Sequence, residues 1–227
     1  MPVAVALFVL LFWEICVHVF QIPMYLLPAP TSIAQALVEN HEVLFSHAMV
    51  TLLEAVLGLL IALVLAVITA ILMDLSKTFR NSIYPHLVVT QTVPVMVLAP
   101  LFSIWLGFGM APKIMIVIFM CYFPITVSFA DGLSQVSQKQ INLLKSFQAS
   151  TFQIYTMVKI PSAVNSLFSG LKVSATYCIG GAIVGEWISS AAGLGYYMLR
   201  VKNGYMLDKV FATVIVVIVL SLLMNAC

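Results

Sequence analysis

The sequence is poor in charged residues. Only 8% of its 227 residues are Asp, Glu, Lys or Arg, whereas 63% are hydrophobic, and the mean hydropathy is +1.12. The ten basic and eight acidic side chains are too few to cover a soluble domain, because roughly a quarter to a third of such a surface is normally charged. The net charge of +2 comes without a cluster of basic residues, which argues against nucleic-acid binding.

Cysteines are also few and form no recognisable set. The four lie at unrelated spacings within apolar stretches: Cys16, Cys121, Cys178 and Cys227. Such spacing predicts neither a disulfide framework nor a zinc site. A cysteine in this setting serves most simply as a small packing residue.

Motifs of catalysis are missing from the sequence. It has no His-x-x-x-His pair, no nucleophile elbow and no GxxxxGK[ST] phosphate-binding loop. This chain on its own therefore cannot hydrolyse ATP with a phosphate-binding loop of that kind. We expect a non-catalytic protein that carries no metal ion and no cofactor of its own.

The sequence is rich in long apolar runs. A helix needs about 20 mainly apolar residues to cross a bilayer. Six runs predict such spans, at residues 3–20, 50–73, 88–107, 114–131, 167–188 and 210–227. The short alternating segments of a membrane β-barrel are absent. We therefore predict an all-α fold, a polytopic membrane helix bundle of about six transmembrane helices that forms a single domain over residues 1–227.

The basic residues predict the orientation of this bundle. Loops at 75–87 and 132–166 hold two and three basic residues, whereas the loop at 21–47 holds none. Lys and Arg are enriched in cytoplasmic loops, so we expect these two loops and both chain ends to lie in the cytoplasm. The loop at 189–209 departs from the rule, because it would lie outside with three basic residues.

Three prolines within the predicted spans are candidates for a permeation path. Pro94 and Pro100 interrupt the third span, and Pro124 interrupts the fourth. The carbonyl groups that a proline frees are tolerated only against protein or a water-filled cavity. Lining a path and simply shaping helix packing remain equally open for these residues.

Two acidic residues and two glycines complete the candidates within the spans. Glu54 and Glu186 lie near external span ends and are candidates for an outer gate or cavity. Solvation at the interface, without a specific role, is the competing interpretation. Gly181 and Gly185 have the small-xxx-small spacing that lets helices approach closely, which predicts a packing role and, by extension, a dimer contact.

The polar segment 142–161 interrupts the apolar pattern. Leu143 and Phe147 form an i,i+4 pair, and Ser150 with Gln153 fits a capping box that would start a second short helix. Pro161 cannot continue an intact helix, so we expect this element to end before it and a span to begin near residue 167.

Such a helix-bend-helix segment predicts a contact with another protein. Phe147, Phe152 and Tyr155 are the expected anchors in a cleft of a soluble partner. A pair of amphipathic helices lying on the lipid surface is the alternative.

Segment 142–161 resembles the EAA loop of permease subunits of binding-protein-dependent ABC importers. The agreement includes Ala149-Ser150, Phe152, Gln153-Ile154, Val158 and Ile160-Pro161. Asn142-Leu143-Leu144 stands where the loop usually has Glu-Ala-Ala, and Gln148 stands where it usually has a glycine at the bend. A positive φ at Gln148 would cost on the order of 1 kcal/mol that glycine avoids.

Further motifs resemble the nitrate, sulfonate and taurine branch of these permeases, in order along nearly the whole chain. They are Leu27-Pro28-Ala29-Pro30, Thr92-Val93-Pro94, residues 99–109, Phe123-Pro124-Ile125, Ser169-Gly170-Leu171-Lys172, Gly185-Glu186-Trp187-Ile188 and Gly193-Leu194-Gly195-Tyr196.

The resemblance implies a multi-pass protein of the bacterial cytoplasmic membrane that forms the solute path. The implied partners are two ATPase subunits carrying ATP and Mg, a second permease copy in a homodimer, and an external solute-binding protein. The loop 132–166 would be the cytoplasmic coupling loop. The implied ATPase-coupling residues are Asn142, Leu143, Leu144, Phe147, Gln148, Ala149, Ser150, Phe152, Tyr155 and Pro161.

The branch imports sulfonates, taurine, nitrate or pyrimidine precursors of thiamine, and no residue in the sequence identifies the solute. The motifs near residues 193–198 and 208–212 favour the thiamine-precursor members. An ion-coupled carrier or channel is the alternative function, although it would need an ionisable relay through the middle of the membrane. An integral membrane enzyme would need a catalytic cluster, and the sequence has none.

Overall fold

The computed structural model describes residues 2–226 and is helical throughout its regular structure. Within that range it contains no strand, so the predicted all-α fold is confirmed. The first five helices are α1 (Pro2–Val19), α2 (Pro30–Glu39), α3 (His41–Leu75), α4 (Lys77–Thr92) and α5 (Val95–Leu106). The remaining helices are α6 (Met110–Ser134), α7 (Gln138–Ser146), α8 (Thr151–Ile154), α9 (Ile160–Ser189), α10 (Leu194–Asn203) and α11 (Leu207–Ala226), with a π-helical segment (Tyr155–Lys159) between α8 and α9.

The number of helices that could cross a membrane does not confirm the predicted six. Four helical runs in the described residues are long and apolar enough: α3, α6, Thr151–Ile188 and α11. The pair α4 and α5 raises the number to five if it is one broken span. Within α1, the stretch Ala4–Val19 is a shorter apolar helix that does not reach the length of these four runs. Cys227, where the predicted sixth span ends, lies outside the described residues.

The third predicted span, 88–107, is divided between α4 and α5, whose axes are bent by 103°. Pro94 is the N-cap of α5, and Val93 before it has an extended backbone. A proline lacks an amide hydrogen and disfavours helical backbone in the residue before it, so a break at this point is expected. Pro100 and Pro124 lie inside α5 and α6, and both helices continue past them.

Helices α3, α6 and α9 form the centre of the bundle. One face of α3 is a stripe of alanines that are fully buried: Ala55, Ala62, Ala66 and Ala70. The facing side of α6 buries Val117, Cys121 and Ile125 at a spacing of one helical turn. Small residues let helix backbones approach closely, which is the main source of association between helices in lipid.

Glycines of α9 bring its backbone against α6. A Cβ atom at Gly170 would lie 2.8 Å from the carbonyl oxygen of Pro124. At Gly181 it would lie 3.0 Å from Met120 Sδ, and at Gly185 3.0 Å from Lys113 Cα. The two glycines singled out in the sequence therefore face α6 of the same chain.

Replacing Gly170 by alanine is expected to destabilise the isolated chain. The added methyl group meets backbone atoms of α6, which cannot move aside like a side chain, so the helices must separate at a cost of about 1–3 kcal/mol. The same substitution at Gly180, where a Cβ atom would meet nothing within 4 Å, is the matched control. Thermal unfolding in detergent measures the stability of both variants. An equal loss of stability in Gly170→Ala and Gly180→Ala would contradict the close α6–α9 contact.

Candidate functional site

Each of the three central helices contributes a charged side chain to one buried cluster. Glu54 of α3, Lys113 of α6 and Glu186 of α9 are only 1%, 5% and 2% exposed. Lys113 Nζ donates hydrogen bonds to Glu54 Oε1 and to Ser190 Oγ, the latter at 2.9 Å. We call Thr51, Glu54, Lys113 and Glu186 the outer cluster, since the predicted orientation puts these ends of the helices outside.

Glu186 joins α9 to α3 and to the connection that follows α9. Thr51 Oγ1 donates to Glu186 Oε1 at 2.6 Å, and the amide of Gly195 donates to Glu186 Oε2 at 2.5 Å. Thr51 Oγ1 in turn accepts from the amide of Leu194 at 2.9 Å. Gly193 has a φ of 106°, and a Cβ atom there would collide with the Glu186 carboxyl group, so only glycine fits.

The outer cluster fastens the three central helices to one another at one end of the bundle. A charge buried in an apolar bundle is costly unless it is paired, and Lys113 lies among two carboxyl groups. The pairing of Glu54 with Lys113 therefore joins α3 to α6, and the bond between Thr51 and Glu186 joins α3 to α9.

The sequence predicted two members of this cluster and missed the other two. Glu54 and Glu186 were candidates because acidic residues are rare in apolar runs. The predicted spans 88–107 and 114–131 leave Lys113 in the loop between them, but α6 begins at Met110 and includes it. Thr51 gives no signal in the sequence, because its role depends on residues more than a hundred positions away.

A cavity of about 340 Å³ lies at the break between α4 and α5. Pro94 lines it, together with Thr90, Gln91, Phe119, Met120 and Tyr177. All described residues that line it are uncharged. Pro100 and Pro124, the other two prolines predicted for a path, are not among them.

The turn in segment 142–161 has the backbone that its sequence predicts. Gln148 has a φ of 58°, the positive value expected from its position at the bend. The amide of Ala149 donates to Leu144 O at 3.0 Å and that of Gln148 to Lys145 O at 2.9 Å, which is the Schellman pattern that ends a helix. The left-handed residue of this pattern is usually glycine, so Gln148 holds a strained conformation.

The predicted capping box is confirmed. Ser150 Oγ accepts from the amide of Gln153 at 3.3 Å, and Gln153 Oε1 accepts from the amide of Ser150 at 2.8 Å. This exchange fixes the start of α8 directly after the turn.

The prediction that the helix ends before Pro161 was wrong. α8 continues through the π-helical segment into α9, which begins at Ile160. The amide of Ile160 bonds back five residues to Tyr155 O, so the hydrogen-bond register is shifted just before Pro161. Pro161 then falls at the start of α9, where its missing amide and its ring are tolerated.

The aromatic residues of the segment do not share one surface. Phe147 and Phe152 are 74% and 76% exposed, and Leu143 is also exposed. Tyr155, predicted as a third anchor, is 9% exposed and points into the bundle instead. Of the other implied coupling residues, Asn142, Gln148 and Ser150 are exposed and Leu144 and Ala149 are half-buried.

Tyr155 points into the bundle because it contacts Asp74 near the end of α3. The Tyr155 hydroxyl donates to Asp74 Oδ2, and Lys159 Nζ lies 2.5 Å from the same oxygen. Lys159 Nζ is also 5.1 Å from the centre of the Tyr155 ring. We call Asp74, Tyr155 and Lys159 the inner anchor. No pattern in the sequence singles out Asp74, since an acidic residue at the end of an apolar run is typical of a span boundary.

Removing the Lys113 cation from the outer cluster is expected to lower the free energy of unfolding by more than removing an exposed cation does. Lys113→Met leaves Glu54 buried without its partner, a loss of about 3–5 kcal/mol, and Lys113→Met with Glu54→Gln should recover most of it. Thermal unfolding in detergent measures both.

Arg80→Met is the control for Lys113→Met. Arg80 lies 3.6 Å from Asp131, and both side chains are more than a third exposed, so the loss should stay under about 1 kcal/mol. Equal losses for Lys113→Met and Arg80→Met would contradict the burial of the cluster.

Comparison with known proteins agrees with this architecture. The family described as the binding-protein-dependent transport system inner membrane component matches residues 43–227. A probable ABC transporter permease protein of Haemophilus influenzae is 34% identical over 97% of this chain and 90% of its own length. The formylaminopyrimidine transport permease protein ThiX of Halalkalibacterium halodurans is 32% identical over 98% of this chain and 89% of its own length.

A solved structure shows the same fold at low sequence identity. The crystal structure of an amino acid ABC transporter with histidines superposes with a TM-score of 0.61 and 17% identity, covering 85% of this chain and 98% of that one. The predicted resemblance is thus confirmed by sequence and by fold. This chain belongs to the family of binding-protein-dependent transport system inner membrane components, the multi-pass permease subunits of ABC importers.

Proposed function

We propose that this permease subunit carries a small, uncharged heteroaromatic solute and is driven through segment 142–161, which docks into a cleft of a separate ATPase subunit. The family fixes the broader role, a non-catalytic subunit of an ABC importer in the inner membrane. The ATPase, its ATP and Mg, and the external solute-binding protein are the partners that this role requires.

The exposed side of the segment supports docking to a protein. Phe147 and Phe152 lie on either side of a turn that is fixed by the capping box and the Schellman pattern. A rigid turn with two exposed aromatic side chains loses little conformational entropy on binding, and such side chains often dominate the energy of an interface. The buried Ile154 and Tyr155 attach the other side of the segment to the bundle.

The open side of the cavity supports a second permease copy. Tyr177 lines the cavity and is 50% exposed, and Gln91 beside it is exposed as well. Polar groups facing lipid are unfavourable, so a second copy across this surface would enclose the cavity and complete a path between the two chains. Two copies would present two segments to two ATPase subunits.

The uncharged lining of the cavity carries the proposal for the solute. Sulfonates, taurine and nitrate all carry negative charge, which in an apolar setting requires a cationic side chain or several amide donors. The cavity offers instead the Gln91 amide, the Thr90 hydroxyl and the rings of Phe119 and Tyr177. These groups suit a flat ring with hydrogen-bonding substituents. A pyrimidine precursor of thiamine has this chemistry, and the relative ThiX is named for a formylaminopyrimidine.

The alternative, an ion-coupled carrier, has less support. Such a carrier needs ionisable groups spread through the membrane interior. Among the described residues, the charged side chains of the central helices that are largely removed from water fall into two separate groups, the outer cluster and the inner anchor, about 30 Å apart along α3.

Removal of an exposed aromatic anchor should weaken the ATPase complex. We expect Phe152→Ala to lower the amount of ATPase that co-purifies with the permease at least three-fold, and Ala149→Asp to lower it further by adding a charge at the interface. Phe108→Ala is the control, because Phe108 is 86% exposed on the predicted outer side. Unchanged co-purification of Phe152→Ala and Ala149→Asp would exclude the segment as the docking site.

The importer should select uncharged solutes, because the residues that line the cavity are uncharged. In the reconstituted importer, an unlabelled aminopyrimidine should compete with labelled aminopyrimidine uptake, and taurine and nitrate should not. Gln91→Leu should raise the KM about 2–10-fold, the worth of one hydrogen bond, without changing ATPase co-purification. Gln35→Leu, the same change on α2 and outside the cavity lining, is the control. Competition by taurine or nitrate would contradict the proposed solute class.

A further inference from the structure

Helix α3 takes part in both the outer cluster and the inner anchor. Its outer part provides Thr51 and Glu54 to the outer cluster, and Asp74 near its inner end belongs to the inner anchor. We infer that α3 is the rigid link through which movement of segment 142–161 reaches the outer cluster, with Asp74 as the positioning residue that attaches the segment to α3. The inference rests on the proposed docking of an ATPase at that segment.

The inner anchor holds the segment and α3 together. The side chains of Lys159 and Asp74 are only 15% and 8% exposed. Separating them would leave two charges poorly solvated, and the Tyr155 hydroxyl would lose its acceptor as well. A displacement of the segment is therefore passed to the end of α3 before the anchor breaks.

The body of α3 can carry such a displacement over a long distance. It runs without interruption for 35 residues, from His41 to Leu75, and contains no proline. The 20 positions from Glu54 to Asp74 correspond to about 30 Å at the rise of an α-helix. α9 offers a second route to the outer cluster, through Glu186, and the π-helical segment Tyr155–Lys159 shifts its hydrogen-bond register before α9 begins.

A displacement of α3 along its axis would change the contacts that its outer half makes with α6 and α9. Glu54 contacts Lys113 of α6, and Thr51 contacts Glu186 of α9 and the amide of Leu194. Hydrogen bonds of this kind fail over less than 1 Å of movement, since they weaken steeply beyond their normal length. A shift of α3 relative to α6 and α9 would release the outer cluster and the connection at residues 190–195 together.

The structure offers a matched pair of tyrosines for a test. Tyr155 bonds through its hydroxyl to Asp74 of α3, and Tyr122 of α6 bonds through its hydroxyl to Thr69 of α3 at 2.8 Å. Both bonds reach the inner half of the same helix, but only that of Tyr155 comes from segment 142–161. Each of the variants Tyr155→Phe and Tyr122→Phe therefore removes one hydroxyl group that bonds to α3. Only Tyr155→Phe removes a hydroxyl group that belongs to segment 142–161.

The test uses the complete importer, with its ATPase and binding protein, reconstituted in lipid. It measures ATPase co-purification, basal ATP hydrolysis, the stimulation of hydrolysis by the loaded binding protein outside, and the solute moved per ATP hydrolysed. We expect ATPase co-purification and basal hydrolysis of Tyr155→Phe to stay within two-fold of the wild-type values. The stimulation of hydrolysis and the solute moved per ATP should both fall at least three-fold. Tyr122→Phe should stay within two-fold in all four. Lys159→Met should resemble Tyr155→Phe.

The outcomes separate this inference from the proposed function. Equal effects of Tyr155→Phe and Tyr122→Phe, or full stimulation in Tyr155→Phe, would overturn the link through α3 while leaving ATPase docking intact. Loss of ATPase co-purification in Tyr155→Phe would also overturn it, because Tyr155 would then serve docking itself. A wild-type permease that binds no ATPase would instead contradict the proposed function.

Discussion

The burial of charge in an apolar bundle is the constraint on which the rest of the structure depends. With so few charged side chains, each one that leaves water needs a partner on another helix, and in the central helices these partners meet at two places along α3. In the outer half of α3, Glu54 pairs with Lys113 of α6, and near the inner end Asp74 accepts hydrogen bonds from Tyr155 and Lys159 of segment 142–161. The apolar packing between these two places is made of small residues that allow close contact.

The charged and uncharged polar groups of the bundle lie in different places. Segment 142–161 exposes two aromatic side chains on one side and is fixed to α3 on the other. The cavity at the α4–α5 break lies apart from both charged sites and offers only uncharged groups. A permease with this arrangement can change its outer contacts without moving a charge through the cavity, which suits a solute that is itself uncharged.

Local patterns in the sequence predicted local structure well. The capping box at Ser150, the positive φ of Gln148 and the break at Pro94 all depend on neighbouring residues, so they can be recognised without a structure. The roles of Lys113 and Asp74 depend on partners 59 and 85 positions away, and a lone charge beside an apolar run has the same appearance whether it is solvated or paired. Pro161 was misjudged for a related reason, since a π-helical register shift leaves no mark in hydrophobic periodicity.

The energy source of transport tests the central claim most directly. Solute accumulation would be measured in vesicles that contain the complete importer, with ATP supplied on the ATPase side and ionophores present to collapse all ion gradients. An ABC importer permease driven through its cytoplasmic segment predicts accumulation that requires ATP and persists with ionophores. Accumulation that is independent of ATP and abolished by ionophores would contradict the account and identify an ion-coupled carrier.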